Sequence, residues 1–308
     1  MKVKHLLGGI LIIALMGGLA FLLKDGLPTR TGNNAQKVPR YLFSIGQSGG
    51  AGKLTRPTTA VQGDGGKVFV TDTGSRSIKI FDRKGKYIKS IGASRSGPGR
   101  LDVPYGIAVL KNGNILVSDL GSLTVREFDP GTGQPVKTWI DQKAGIKPAF
   151  IHAGKDTVLI SDVNNHVILK FNQKGEQIGA LGEGDLYFPQ GIAIDKKGLV
   201  WVADSAHAKV RAFDKKGKAV ISVDGSDHPS GKFGMVKGLT VDGLDRVLVV
   251  GTMDNSIRAL DRQGRELFRF GKAGSGRGEF SFPLGISAGE DFLLIVDRGN
   301  KRVQFWQY

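Results

Sequence analysis

The stretch FPQGIAIDKKGLVWVADSAHAKVRAFDKKGK, residues 188–218, decides the fold. GIAI, LVWVAD and VRAFD are runs of strand-forming residues. Their joints hold Asp195-Lys196-Lys197-Gly198, a short polar loop and a Lys-Lys-Gly turn. Three short strands with tight turns account for this pattern, and no apolar spacing of helical period competes with it. Such a sheet is marginal by itself, because both faces are largely apolar and need covering.

The rest of the chain supplies the cover by repetition. First strands open at Pro57, Pro104, Pro148, Pro189, Val236 and Pro283. Second strands KVFVTD, NILVSD, TVLISD, LVWVAD, RVLVVG and FLLIVD end at Asp72, Asp119, Asp162, Asp204, Gly251 and Asp297. A third strand follows each of these, and then, after a glycine turn, a fourth: KYIKSIG, PVKTWI, EQIGALG, KAVISV and RELFRFG. The period of roughly 42–48 residues is that of four-stranded propeller blades. The sixth copy reaches Tyr308 without a fourth strand, while YLFSIG at 41–46 matches YIKSIG at 87–92. The expected fold is therefore all-β: a six-bladed propeller of four-stranded antiparallel blades, its ring closed by the N-terminal strand. Closure covers every sheet face and leaves no long unpaired edge.

The pattern P-x-G-I-A-V-D-x-x-G-x-[IVL]-x-V-[AST]-D-x5-[IV]-x-x-F-D-x-x-G resembles the NHL repeat, over nearly all of residues 40–308. Copies 2 and 4 match best. Copies 3 and 5 depart, at Phe150 for the glycine and at Gly251 for the aspartate. The resemblance implies a six-bladed propeller but no single function, since the family spans RNA binders, ubiquitin-ligase scaffolds, an amidating-lyase relative and exported proteins.

Residues 6–23, LLGGILIIALMGGLAFLL, carry no charge and follow Lys2, Lys4 and His5. The run is long enough to span a membrane, and no small-x-small cleavage site ends it. We expect a signal-anchor or signal peptide over 1–23, the uncleaved form preferred, a polar linker over 24–39, and the propeller from 40 to 308. Either form of the N-terminal helix exports the domain to a periplasmic or extracellular space. The chain has no cysteine, which excludes disulfides, thiolate metal sites and thiol nucleophiles. Its net charge of +16 favours anionic partners.

Several apparent motifs reduce to architecture. An Asp ending each second strand is suited to accepting bonds from backbone N–H groups of the next turn. Residues 46–53, GQSGGAGK, look like a phosphate loop but place Gln47 and Leu54 where Gly and Ser/Thr are needed. A lactonase-like calcium site would need carboxylates and amides at the inner strand starts, which hold Thr58, Tyr105, Ala149, Gln190, Lys237 and Leu284. No nucleophile–base arrangement stands out. No metal or other cofactor is expected; His152, on an inner strand where other copies carry small residues, is the one candidate toward a metal, with His166 and His207 on adjacent blades.

What remains is a binding face, built from the loops before the first strands and after the second. It would carry Arg76, Tyr105, Arg126, His166, Gln190, His207, Lys209, Lys237, Arg258, Lys301 and Arg302. The expected function is a membrane-anchored, non-catalytic binding or scaffold module for a protein or an anionic polymer. A metal-dependent lyase or hydrolase in the central channel is the alternative. An RNA-binding domain is a second alternative, which export disfavours.

Overall fold

Short runs of Val, Ile, Leu and Phe between Gly- and Asp-rich joints become 24 strands in the computed structural model, which describes residues 37–94, 96–289 and 292–308. The expected signal-anchor or signal peptide over 1–23 and most of the linker 24–39 lie outside the described residues. No helix among the described residues is long and apolar enough to cross a membrane.

A strand β1 (Arg40–Ile45) precedes the repeats. Blade 1 is β2 (Pro57–Gln62), β3 (Val68–Asp72), β4 (Ser77–Phe81) and β5 (Tyr87–Ile91). Blade 2 is β6 (Pro104–Val109), β7 (Ile115–Asp119), β8 (Thr124–Phe128) and β9 (Pro135–Ile140). Blade 3 is β10 (Pro148–Ala153), β11 (Thr157–Asp162), β12 (Val167–Asn172) and β13 (Gln177–Leu181). Blade 4 is β14 (Pro189–Ile194), β15 (Val200–Asp204), β16 (Lys209–Phe213) and β17 (Ala219–Val223). Blade 5 is β18 (Val236–Val241), β19 (Val247–Gly251), β20 (Ser256–Leu260) and β21 (Glu266–Phe270). Blade 6 is β22 (Pro283–Ala288), β23 (Leu293–Asp297) and β24 (Arg302–Gln307), completed by β1 in the order β1-β24-β23-β22. All pairings are antiparallel, with Tyr41 opposite Trp306 and Ile45 opposite Val303.

The ring also closes on its inner side. Ser287 Oγ on β22 donates to Ala60 O on β2 at 2.7 Å. Facing blades bury apolar side chains between them; Trp201, Ala203 and Val210 of blade 4, for example, pack on Val236, Leu239 and Val249 of blade 5. The inner-strand glycines are required by close approach of neighbouring backbones. A Cβ on Gly238 would come within 2.5 Å of Leu284 O, and one on Gly285 within 2.5 Å of Thr58 O. Blade 3 has Phe150 at this position, its ring buried and edge-on to Tyr105.

The recurrent aspartates are structural. Asp72, Asp119, Asp162, Asp204 and Asp297 are fully buried. Their carboxylates accept from the loop leading into their own blade, as in Arg56 N–H to Asp72 at 2.7 Å and Ser281 N–H to Asp297 at 2.7 Å. Some also accept from the turn that follows, as in Gly121 N–H to Asp119 at 3.0 Å. In blade 5, where Gly251 replaces the aspartate, the carboxylate of Asp254 packs over Gly251 and takes Arg258 Nη2 at 3.2 Å.

Candidate functional site: a cationic channel mouth

Every first strand slips register just after its opening residue: between Pro104 and Ile107, Pro189 and Ile192, and Val236 and Leu239, with the same slip in the other three blades. Such bulges re-aim side chains. Here they bring the residues after the opening position together at one mouth of the channel. Tyr105 from blade 2 donates its hydroxyl to Gln190 Oε1 of blade 4 at 3.4 Å, and Gln190 is itself buried. Tyr105 also meets Phe150 edge-on, with centroids 5.5 Å apart. Phe150, Ala149 and Val163, with Leu120 against them, make an apolar wall on the blade 2 and 3 side.

The opposite side is cationic. Lys237 leans over the Phe188 ring with Nζ 5.3 Å from its centroid. Arg298, the residue after the buried Asp297, lies within the electrostatic reach of Tyr105, Lys237 and Arg56. Burial first, and the Arg298 charge second, hold the Lys237 ammonium below its ordinary pKa. Burial likewise lowers that of Arg298, with Arg56 adding to the effect. Burial pushes the Tyr105 phenol up to about 12, opposed by Arg298, so it stays a neutral donor.

No carboxylate among the described residues pairs with Lys237, Arg298 or Arg56. The other arginines drawn into the fold contrast with them. Arg211 meets Asp204 at 2.8 Å, Arg246 meets Asp242 at 2.7 Å, and Arg262 meets Asp195 at 3.2 Å. A partly buried cation without a counter-charge is costly unless something else supplies one.

The expected face divides into two groups. Arg126, Arg258 and Arg302 are turned under the loops rather than displayed on them. Arg126 gives Nη2 to Arg100 O at 2.6 Å, and Arg258 gives Nη2 to Lys232 O at 3.0 Å. Arg302 binds Asp297 at 2.7 Å and the carbonyls of Gly276 and Glu279 at 2.7 and 2.8 Å. These clamps fix three of the blade-to-blade loops. Tyr105, Gln190 and Lys237 meet at the mouth. Arg76, His166 and Lys301 occupy one repeated position in the turn between second and third strands, where φ is 52°, 61° and 56°. His207 Nδ1 is 2.8 Å from Asp204, and Lys209 starts the neighbouring strand β16. Tyr187 lies between His166 and His207, at 4.4 and 5.8 Å.

His152 lies deeper, in a channel chamber of about 210 Å³ that Thr59, Gln62, Thr240 and Ser287 also line. Burial pushes its imidazole down to about 4, leaving it neutral. No group of three or more His, Cys, Asp or Glu among the described residues is placed to hold a metal. At the far end, a funnel of about 880 Å³ runs between Asp64, Lys111 and Lys155, where Lys111 already pairs with Asp156 at 2.9 Å.

Sequence reasoning passed over Arg298, Arg56 and the exposed ring of Phe188, and read Phe150 only as a departure from the repeat. Arg298 had a signal: the residue after the strand-ending aspartate is Thr73, Leu120, Val163 and Ser205 in other copies, so a cation there is out of pattern.

Fold and mouth together define a six-bladed β-propeller with a cationic channel entrance. Within it, residues 186–213, at blade 4, match the model of the NHL repeat. It is similar to the probable peptidyl-alpha-hydroxyglycine alpha-amidating lyase pgal-1 of Caenorhabditis elegans: 29% identical over 156 residues, covering 45% of this chain and 43% of that protein. Similarity to the rat (Rattus norvegicus) E3 ubiquitin-protein ligase NHLRC1 is 26% over 216 residues, 63% of this chain and 49% of the other. The chain thus spans about half the length of these curated relatives. Among solved structures, virginiamycin B lyase from Staphylococcus aureus with quinupristin superposes with a TM-score of 0.60 at 15% identity, covering 85% of this chain and 82% of that one. That likeness concerns the fold alone.

Proposed function

We propose that this propeller is a non-catalytic binding module that takes an anionic partner at the mouth face. The observation that carries the reading is the pair of half-buried cations Lys237 and Arg298, with Arg56 beside them and no carboxylate to match. A partner's negative charge would satisfy a need that the fold leaves open, and the site's burial strengthens the attraction. We further propose that residues 1–23 export and anchor the chain, with 24–39 as the linker, so that the module works outside the cytoplasm. A reporter fused after Tyr308 tests this, since activity confined to the cytoplasm would contradict it.

The binding reading is tested with fluorescent polyglutamate titrated against the full chain and against a Lys237→Gln/Arg298→Gln variant. Loss of two partly buried contacts is expected to weaken binding by about tenfold or more. Equal affinity for both proteins would overturn the assignment.

A further inference from the structure

Around the cationic well runs an arc of exposed large apolar side chains: Phe188, Met235, Met253 and Phe282, at 39, 43, 58 and 54% exposure. A chain of contacts links them in order. Phe188 lies under Lys237; Thr252 N–H, beside Met253, donates to Met235 O at 2.9 Å; Phe282 N–H donates to Asn255 Oδ1 at 2.8 Å; and Gly299 N–H, beside Arg298, donates to Ser281 O at 2.8 Å. Both phenylalanines hold left-handed backbone, with φ of 58° and 47°, a conformation costly for bulky residues. The N–H of Phe188 is fixed in that form by His166 Nδ1 at 3.2 Å, as that of Phe282 is by Asn255. The outward rings are thus built in rather than left over.

We propose that the occupant is an exposed segment of a partner protein. One Asp or Glu carboxylate enters the well at Lys237 and Arg298, and large apolar side chains flanking it cover the Phe188–Phe282 arc. This rests on the binding reading above and narrows it. An anionic polysaccharide has no large apolar side chains for the arc. A nucleic acid needs cations along a track, whereas here they are focused in one well. Methionine beside phenylalanine suits peptide side chains of varied shape.

The test is selection of phage-displayed random peptides on the immobilised full chain, followed by affinity measurement with end-blocked synthetic peptides. Enriched peptides should share an acidic residue with aromatic or large aliphatic neighbours. Amidating that carboxylate, or introducing Lys237→Gln/Arg298→Gln, should weaken binding about tenfold. Phe188→Asn/Phe282→Asn, which keeps a residue tolerant of left-handed backbone, should weaken the peptide but not polyglutamate. Thermal unfolding of each variant verifies the fold. No enrichment, enrichment without an acidic residue, or indifference to both variants overturns the proposal. If polyglutamate still binds through Lys237 and Arg298 while no peptide does, the partner class is wrong and the binding reading stands; if neither binds, both fall.

Discussion

The ring of Phe43, on the first strand, stacks on that of Phe305, on the last, with centroids 4.3 Å apart and planes 19° from parallel. On the other face of the same blade Tyr41 meets Trp306 edge-on, with centroids 5.8 Å apart. The ends of the domain therefore hold each other, and the blade they share has no other fourth strand. Deleting residues 40–46 should cost several kcal/mol, because a strand's contacts go and an edge opens. Phe43→Ala alone should cost about 2 kcal/mol. Urea unfolding measures both; unchanged midpoints would mean that the strand is not what closes the ring.

Arg302 and Asp297 pair at 2.7 Å in the buried interior of blade 6. Arg302→Met leaves the carboxylate buried with fewer partners and should cost about 3–5 kcal/mol. Lys237→Gln or Arg298→Gln should instead change stability by less than about 0.5 kcal/mol, or raise it by relieving repulsion. The same unfolding experiment separates the cations that build the propeller from those that serve a partner.

Two glycines on one blade should respond oppositely to a methyl group. Gly238→Ala drives a Cβ to within 2.5 Å of Leu284 O and should cost about 2–4 kcal/mol. At Gly243 a Cβ meets nothing within 4 Å, so Gly243→Ala should be neutral to slightly stabilising. Differential scanning calorimetry compares them directly.

Acid should weaken the fold through His152. Burial holds its imidazole at about 4, whereas an unfolded histidine titrates near 6.5. The unfolded chain therefore binds the extra proton first as pH falls. The contribution is fully present above about pH 6.5 and is lost as the pH drops toward 4, on the order of 2 kcal/mol given that water reaches the channel. His152→Asn should flatten this part of the stability–pH curve, and urea midpoints between pH 7 and about 4 read the difference.

Most of the architecture was legible because a repeat states its strands six times: the Pro opening, the terminal Asp and the Phe-Asp turn each recur at fixed offsets. Even the split last blade showed in the match of YLFSIG to YIKSIG. The mouth was only half legible. Tyr105, Gln190 and Lys237 stand at one repeated position, so they could be read as a ring. Whether an arginine is displayed or consumed depends on loop carbonyls that fold back onto it. Arg126, Arg258 and Arg302 looked like surface charge for that reason. The outward rings of Phe188 and Phe282 depend on left-handed backbone that residue type alone does not announce, whereas Arg298 stood out as a cation off the repeat pattern.

Acylation footprinting of Lys237 by mass spectrometry puts the open cationic mouth to its most direct trial. With its pKa held down by burial and by Arg298, Lys237 should label faster than exposed lysines such as Lys111, and bound polyglutamate should protect it while leaving Lys111 unchanged. Labelling of Lys237 that stays the same when polyglutamate is bound would show that the anion sits elsewhere.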